Sequence, residues 1–275
     1  MAAEYEVRVA LDSPVSEACY TPCPMAERHS AQTLRAWLRE GPFSLALSSG
    51  FFGFFAHAGF MTVLEDEGLL PSRLSGSSAG ALVSGLWSAG VDAPVIGDEL
   101  VKVERDHFWD PGVGFGLLRG ARFRARLDDL LPVDTFEKTR RPLTLSVFDV
   151  WSRSTRVARS GPLAIAIHAS CAVPFLFHPV MLAGRPTLDG GVSDRPGIEG
   201  LPRGERILFH HLPSKSPWRT AVPFPRQPNL VAVAIDGLPR LGPFALERGR
   251  DAFEMARARM KVALDRPVTN ELVAL

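Results

Sequence analysis

The sequence predicts an α/β protein in which helices cover both faces of a central, mostly parallel sheet. Three observations support this fold class. The 275 residues are 46% hydrophobic and 22% charged, and a globular chain of this length buries roughly three quarters of its unfolded surface. Short apolar runs alternate with segments in which apolar residues recur at helical spacing. One of these runs passes through a glycine-rich turn directly into a helical segment, which is typical of α/β layer domains.

The chain is predicted to divide after residue 40. Residues 1–40 are polar and mixed in composition, and we expect an N-terminal extension with one amphipathic helix at 31–39. Residues 41–275 then form the α/β domain. Its first half is predicted to contain a buried strand at 43–48, a glycine loop at 50–53, a helix from 56 to its stop at Gly68, a strand at 73–75 and a helix at 79–90.

The second half is predicted to continue the alternation. Residues 92–140 are expected to be mostly helical and surface-exposed, and residues 213–228, rich in proline and basic residues, to be a surface excursion. The other predicted elements are strands at 143–150, 155–158, 206–211 and 230–235 and helices at 163–170 and 246–264.

Charge and cysteine content exclude several classes of partner. The 31 Lys and Arg residues nearly balance the 30 Asp and Glu residues, so no basic field attracts nucleic acid. Three cysteines are too few and odd in number for a disulfide framework, which favours a reducing compartment. Cys19 and Cys23 have no second pair of ligands nearby, so we expect no metal site.

The sequence also predicts a cytoplasmic protein. The first residues are acidic where a signal peptide is basic, and no apolar segment follows them. The longest apolar stretches, 43–55 and 163–183, are interrupted by Ser, Gly, His or Pro and are too short to span a bilayer. Any membrane contact is therefore expected to be peripheral.

The strongest chemical signal is Gly76-x-Ser78-x-Gly80, which stands between a predicted strand and a predicted helix. This is the context of a nucleophile elbow, in which the glycines allow a turn sharp enough to expose the serine hydroxyl. The amide groups and positive dipole end of the following helix favour negative charge beside that hydroxyl. Ser78 is therefore the candidate nucleophile.

A serine nucleophile needs a base, because its hydroxyl is scarcely ionised at neutral pH. Asp189 is one candidate, since Gly190 and Gly191 behind it let the backbone approach another element closely. A histidine is the other, as in a Ser-His-Asp triad. The histidines that follow Ser78 are His107, His168, His178, His210 and His211. The residues alone leave this choice open.

Four segments in the same order resemble the patatin-like phospholipase family. They are the glycine loop and following helix (45–59), the elbow at Ser78, the segments 160–163 and 169–174, and the Asp-Gly-Gly sequence at 189–191. The resemblance covers residues 43–198. It implies a three-layer α/β/α fold and a catalytic dyad of Ser78 and Asp189, with Gly76, Gly80, Gly190 and Gly191 as motif glycines.

The resemblance also assigns the oxyanion hole to the backbone N–H groups of Ser49, Gly50 and Phe51. It implies a lipid ester substrate and an acyl-enzyme, with no metal or other cofactor. The chain departs from the family pattern at two places. Gly53 stands where a basic residue is expected, which weakens the case for a phosphate-bearing substrate and brings the loop closer to the triglyceride-lipase branch. Arg195 precedes Pro196 where the family has asparagine.

Two groups of apolar residues surround these motifs. The rings of Phe51, Phe52, Phe54 and Phe55 are expected either to pack in the core or to line an acyl-chain channel. A second group could form an apolar cap over the same site; its members are Phe108, Trp109, Phe115, Leu117 and Leu118.

The leading hypothesis is a serine-dependent lipid acyl hydrolase of the phospholipase, lysophospholipase or acylglycerol lipase type. One alternative is an α/β-hydrolase-type esterase with a triad base such as His210. It ranks lower, because that fold places several strands before the elbow and only one confident strand precedes it here. The other alternative is a lipid-binding protein with a degenerate site. The sequence predicts neither the head group nor the oligomeric state.

Overall fold

The computed structural model describes residues 32–213, 225 and 227–268 and the backbone of 272–274. Its strands are β1 (Ser44–Leu47), β2 (Arg73–Ser77), β3 (Gly116–Leu118), β4 (Leu143–Asp149), β5 (Ser154–Ala158), β6 (Phe175–Phe177), β7 (Val180–Leu182), β8 (Arg185–Asp189), β9 (Ile207–His211), β10 (Leu230–Ala234) and β11 (Leu272–Ala274). Its helices are α1 (Leu34–Arg39), α2 (Phe54–Asp66), α3 (Ala79–Ala89), α4 (Ala93–Val101), α5 (Ala121–Leu130), α6 (Leu163–Ser170) and α7 (Gly249–Leu264).

The central sheet is parallel over most of its width. Within the described residues its order is β11-β10-β9-β1-β2-β4-β8-β7, and β5 pairs with β4. The strands from β11 to β4 run parallel, whereas β5, β7 and β8 are joined to their neighbours by antiparallel pairs. The predicted mostly parallel sheet with helices on both sides is confirmed.

The central strands are buried on both faces, as expected for parallel strands in an α/β protein. Leu45 and Leu47 of β1 contribute to the larger hydrophobic core, which contains residues from all the described helices. Ala46, between them, points to the other face and joins a smaller core with Phe209 and Leu201. The period-2 alternation of a strand thus serves two cores at once.

Helix α3 is buried along its whole length, and α2, which packs on α7, is buried over most of its length. Residues 55–64 of α2 are all buried, so this helix shows no polar face in that stretch. None of the described helices combines the length and hydrophobicity that crossing a bilayer requires.

Three sequence predictions need correction. Helix α1 was assigned to an extension that ends at residue 40, yet the compact unit begins at Gln32. Leu34 and Leu38 are buried in its core, and the Leu34 N–H donates to the Arg266 carbonyl oxygen at 2.9 Å. Residues 92–140 are only partly helical: they include β3, and their Leu100 and Leu127 are buried rather than exposed.

The third correction concerns the strands β6, β7, β8 and β11, which the sequence pattern did not predict. Three of them have only three residues each, and β8 contains Pro186, so the period-2 signal is too short to recognise. Cys19, Cys23 and most of the predicted excursion at 213–228 lie outside the described residues.

Replacing Gly59 by alanine tests the close packing of α2 on α7. A Cβ at this position would lie 2.2 Å from the Phe253 carbonyl oxygen, and a backbone atom of a packed helix cannot move aside alone. We expect Gly59→Ala to lower the free energy of unfolding by about 1–3 kcal/mol, as overpacking does, measured by urea denaturation.

Gly41→Ala is the matched control, because its Cβ would meet only the tip of the Arg206 side chain at 3.3 Å. An unchanged urea midpoint for Gly59→Ala would show that the two helices are not held at this distance in solution.

Candidate active site

Two strands meet end to end along one edge of β4 and bring Ser78 to Asp189. In the register of the sheet, Ser146 of β4 lies opposite Ser77 at the end of β2. The next residue, Val147, lies opposite Asp189 at the end of β8. Because β2 is parallel and β8 antiparallel to β4, their carboxyl ends face each other. This pairing explains how residues far apart in sequence become neighbours.

Ser78 lies in a strained turn between β2 and α3. Its φ of 54° and ψ of −118° are rare for a residue with a side chain, and such a conformation costs on the order of 1–3 kcal/mol. Gly76 and Gly80 make the turn possible. A Cβ on Gly80 would lie 2.0 Å from the Leu47 carbonyl oxygen, and one on Gly76 would lie 2.6 Å from the Gly80 backbone. The structure therefore places Ser78 at the predicted elbow.

The hydroxyl of Ser78 donates a hydrogen bond to Asp189 Oδ2 at 2.5 Å. Both side chains are buried. The other carboxylate oxygen, Oδ1, accepts the Gly191 N–H at 2.7 Å, which fixes the carboxylate plane and directs Oδ2 at the serine. Gly190 and Gly191 are needed for this approach, because a Cβ on Gly190 would lie 2.1 Å from the Ser146 carbonyl oxygen.

Ser170 and Cys171, at the end of α6, contact the backbone of Ser78 and help to hold the elbow. The Ser78 N–H donates to Ser170 Oγ at 3.0 Å, and that hydroxyl donates in turn to the Ser146 carbonyl oxygen at 2.7 Å. The Cys171 thiol contacts the Ser78 carbonyl oxygen at 3.2 Å, and burial raises the pKa of this thiol well above its usual value. No role for Ser170 could be predicted from the sequence, because an Oγ that bonds to two backbone segments leaves no spacing signal.

The loop after β1 faces the same hydroxyl, but one of its three predicted donors is already engaged. The Ser49 N–H donates to the Arg195 carbonyl oxygen at 2.8 Å, so the structure does not offer it to an oxyanion. In the described part of the chain, the N–H groups of Gly50 and Phe51 donate to no protein acceptor. Phe52, next to them, has a φ of 55°, so the loop turns sharply at this point.

A buried pair of histidines anchors this loop. His57 Nε2 lies 2.7 Å from the Ser48 carbonyl oxygen, and His57 Nδ1 lies 2.9 Å from His210 Nδ1. A carbonyl only accepts, so His57 Nε2 carries the proton and its Nδ1 accepts the N–H of His210. The Leu212 N–H donates to Ser48 Oγ at 2.9 Å and adds a further contact to the loop.

This pairing corrects the hypothesis that His210 is a triad base. His210 is fully buried, bonded to His57 and stacked on Phe60 with 4.1 Å between ring centroids. Among the described residues, the Ser78 hydroxyl is hydrogen-bonded to Asp189 and to no histidine. Burial lowers the pKa of His57 to about 4 and lowers that of His210 well below its usual value. Both rings are therefore neutral near pH 7 and serve the scaffold.

The loop after Asp189 is fixed by Asp194, a residue that the sequence analysis did not single out. Its carboxylate accepts the N–H groups of Gly197 and Glu199, each at 3.0 Å, and the Ser146 hydroxyl at 2.6 Å. These contacts define the backbone of Arg195, whose carbonyl holds Ser49. The departure from the family pattern at Arg195 thus lies where the loop after β8 contacts the loop after β1.

A narrow apolar cavity of about 110 Å³ opens beside Ser78. Its polar side chains are those of Ser78, His107, Arg126 and Cys171. Its apolar walls come from the loop after β1 and from residues 100–130 and 173–177, and include Phe52, Phe54, Leu82, Leu100, Phe108, Phe123, Leu127, Leu130, Val173, Leu176 and Phe177.

The two predicted aromatic groups divide between cavity, core and surface. Phe51, Phe52 and Phe54 line the cavity, whereas Phe55 is a core residue. In the predicted cap, Phe108 lines the cavity and Leu118 is buried, but Phe115 and Leu117 are exposed.

A wider cavity of about 530 Å³ lies on the other side of the same loop. It shares Gly50, Phe51 and Phe52 with the narrow cavity. Within the described residues its lining includes two arginines, Arg195 and Arg240, and no acidic side chain. The two cavities therefore flank the predicted oxyanion donors, and only the wider one is lined by Arg195 and Arg240.

Comparison with known proteins gives a consistent result. Residues 45–201, more than half of the chain, match the family model described as patatin-like phospholipase. Uncharacterized NTE family proteins of Mycobacterium bovis and Mycobacterium tuberculosis are 30% identical to it over 154 residues. These residues are 55% of this chain and 43% of the relatives, so the match spans less than half of the relatives' length.

The comparison with solved structures found proteins from two bacteria. VipD from Legionella pneumophila covers 81% of this chain and 67% of its own, with 16% identity and a TM-score of 0.56. ExoU, solved as a heterodimeric complex with SpcU from the type III secretion system of Pseudomonas aeruginosa, covers 85% of this chain and 52% of its own. It has 16% identity and a TM-score of 0.44.

The neutral histidine pair predicts that acid destabilises the protein. The unfolded chain binds protons near the usual pKa of 6.5, whereas folded His57 does so only near 4. Between these two pH values the unfolded state binds more protons than the folded state, so the free energy of unfolding falls as the pH decreases from about 6.5. Above that pH the histidines are neutral in both states and contribute no pH dependence. We expect a slope of roughly 1 kcal/mol per pH unit for each buried histidine, measured by urea unfolding at several pH values.

His210→Gln removes one titrating ring and should flatten this slope, whereas His107→Gln, at an exposed position, should leave it as in the parent. Equal slopes in all three proteins would contradict the neutral, buried pair.

Proposed function

Because the chain belongs to the patatin-like phospholipase family, we propose that it is a lipid acyl hydrolase with Ser78 as nucleophile and Asp189 as base. The observation that carries this proposal is the 2.5 Å hydrogen bond from Ser78 Oγ to Asp189 Oδ2 at a strained elbow. A carboxylate at this distance can accept the hydroxyl proton while the oxygen attacks an ester carbonyl.

The remaining steps use Asp189 and two residues that line the same cavity as Ser78. The N–H groups of Gly50 and Phe51, held by the anchored loop, stabilise the negative oxygen of the tetrahedral intermediate. Asp189 passes its proton to the leaving alcohol, and an acyl group remains on Ser78. Asp189 then takes a proton from water, which attacks the acyl-enzyme. As the fatty acid leaves, Asp189 returns this proton to Ser78 Oγ.

The acyl chain is assigned to the narrow cavity, because its walls are almost entirely apolar and Ser78 lies among them. Its volume of about 110 Å³ is below the roughly 300 Å³ at which ligand pockets begin. A long chain therefore requires the wall to widen, for example by movement of α5, which supplies Phe123, Arg126, Leu127 and Leu130.

The alcohol part of the ester is assigned to the wider cavity. Arg195 and Arg240 line it without an acidic residue among the described side chains. Guanidinium groups bind phosphate oxygens well. Arg240 supplies, from another part of the chain, positive charge that the glycine loop lacks at Gly53. A phospholipid or lysophospholipid is thus favoured over a neutral acylglycerol.

The two alternatives from the sequence are less well supported. A triad enzyme would need a histidine beside Ser78, where Asp189 lies instead. A lipid-binding protein with a degenerate site would have no reason to keep a strained serine paired with a carboxylate.

Alanine at Ser78 and asparagine at Asp189 test the proposed dyad. We expect each to lower kcat/KM for p-nitrophenyl octanoate about a thousandfold or more, the scale of removing a catalytic nucleophile or its base. Circular dichroism should show that both variants are folded.

Ser77→Ala is the matched control, because the neighbouring Ser77 hydroxyl is buried without a hydrogen-bond partner in the described structure. It should retain most of the activity. Full activity of Asp189→Asn, or its loss in a folded His210→Gln variant instead, would contradict the dyad.

The assignment of the alcohol part predicts selectivity for an anionic ester. We expect the wild type to hydrolyse 1-octanoylglycerol 3-phosphate with a higher kcat/KM than 1-octanoylglycerol, which differs only in lacking the phosphate. Arg240→Gln should lower the ratio of the two values about tenfold, mainly through KM, because one charged hydrogen bond is lost.

Arg203→Gln makes the same charge change at an exposed site. Arg203 precedes β9 and therefore lies at the amino-terminal end of that strand, whereas the wider cavity is lined by residues that follow β9. This variant should leave the ratio unchanged. A wild type without preference, or equal ratios in all three proteins, would overturn the assignment while leaving the hydrolase proposal intact.

A further inference from the structure

A short ribbon formed by β3 and β6 carries the most exposed apolar side chains near the active site. We call residues 110–119 and 173–178 the β3–β6 ribbon. Val113, Phe115 and Phe175 have relative exposures of 102%, 89% and 88%, and Leu117 is 47% exposed. Isolated apolar residues on a surface need no explanation, but a cluster of them marks an interaction site.

Backbone pairing places these side chains together. Gly116 lies opposite Phe175, and Leu118 opposite Phe177, in the parallel β3–β6 pair. Phe115 and Leu117 flank Gly116 in sequence and, because side chains alternate along a strand, they lie on the face opposite to that of Gly116 and Phe175. Exposed apolar side chains are therefore present on both faces of the ribbon at this position. Val113 lies at the tip of the same loop, in the turn that β3 follows.

Hydrogen bonds hold the ribbon in this shape. The Gly112 N–H donates to the Leu117 carbonyl oxygen, and the Arg119 N–H to the Asp110 carbonyl oxygen, each at 3.0 Å. The Asp110 carboxylate accepts the N–H groups of Gly120 and Arg122 at 3.0 and 3.1 Å. The apolar side chains are therefore presented outward by an ordered structure.

Phe175 is exposed in spite of two costs. Its φ of 66° lies in the left-handed region, where a bulky side chain is an outlier, and its ring gains no burial. Strain of this kind persists where the surroundings impose it and is concentrated at functional sites.

Residues of β6 and the turn before it also line the narrow cavity. They are Val173, Leu176 and Phe177, which line it together with Ser78. The exposed patch and the proposed acyl site thus share one short ribbon, so a surface that covers the patch also adjoins the cavity.

Positive charge accompanies the patch. Arg119 is exposed and lies along the ribbon, since a Cβ on Gly112 would meet its side chain at 2.2 Å. Arg122 is also exposed, and its guanidinium donates to the Asp106 carbonyl oxygen. The carboxylate of Asp110, between them in space, is taken up by backbone N–H groups. Apolar groups beside basic groups match the surface of an anionic bilayer.

We propose that the β3–β6 ribbon docks the protein on the surface of an anionic lipid bilayer, with Val113, Phe115 and Phe175 inserted and Arg119 and Arg122 against the head groups. This inference rests on the proposed function, because docking at the ribbon places the cavity beside Ser78 next to its lipid. The contact is peripheral and uses no spanning segment.

Flotation with vesicles tests the proposal. The full chain is mixed with vesicles of phosphatidylcholine alone or with an equal part of phosphatidylglycerol. We expect binding to the mixed vesicles that weakens with salt. Val113→Ser combined with Phe115→Ser should lower the partition coefficient at least about tenfold, since two large apolar groups lose their insertion. Phe175→Asn, which tolerates a positive φ, should lower it separately.

Leu70→Ser is the matched control, because Leu70 is 43% exposed and lies before the amino-terminal end of β2, whereas Ser78 follows the carboxyl end of this strand. It should bind as the parent does. Parental binding by the ribbon variants, an equal loss in Leu70→Ser, or no vesicle binding by the wild type would overturn the proposal. So would a concentration-dependent dimer in sedimentation velocity that the ribbon substitutions abolish, because the patch would then contact a second copy.

Two further measurements separate docking from catalysis. Ser78→Ala should bind vesicles like the parent, and the ribbon variants should hydrolyse a soluble short-chain ester at the parental rate. Ribbon-dependent vesicle binding without any ester hydrolysis would refute the proposed function and leave docking standing. Normal ester hydrolysis, together with vesicle binding that the ribbon substitutions leave unchanged, would refute docking at the ribbon and leave the proposed function standing.

Discussion

The edge of β4 that β2 and β8 share is the constraint on which the site depends. Ser146 and Val147 face the ends of these two strands in consecutive positions, so any shift of register would separate Ser78 from Asp189. The strained backbone of Ser78 is tolerated because glycines, Ser170 and the carboxylate all fix it. The sheet thus supplies the alignment that a base with no intervening histidine requires.

The loop after β1 is also held in place by contacts that take no part in the proposed reaction. A neutral pair of histidines, rather than a catalytic one, holds Ser48, and the backbone of Arg195 holds Ser49. These contacts leave Gly50 and Phe51 facing both cavities. In the proposed reaction, the apolar cavity on one side and Arg240 on the other orient the ester, and the proposed docking of the β3–β6 ribbon places the apolar cavity beside the lipid.

Local sequence signals predicted what depends on local geometry. Glycines at 76, 80, 190 and 191 predict places where the backbone turns sharply or closely approaches another element. In the structure, a Cβ at each of these four positions would clash with a neighbouring atom. The alternation in β1 and the helical spacing in α2 and α3 likewise predicted their elements. What could not be predicted depends on distant contacts. The engagement of Ser49 by Arg195 and the pairing of His210 with His57 follow from the packing of separate loops, which no spacing in the sequence encodes.

The most direct test of the account is the reaction of the protein with a fluorophosphonate, followed by mass spectrometry of the labelled peptide. The account predicts one adduct, on Ser78, formed rapidly by the wild type and only slowly when Asp189 is replaced by asparagine, because the carboxylate then no longer accepts the hydroxyl proton. An adduct on another residue, or equal labelling rates in the two folded proteins, would contradict it.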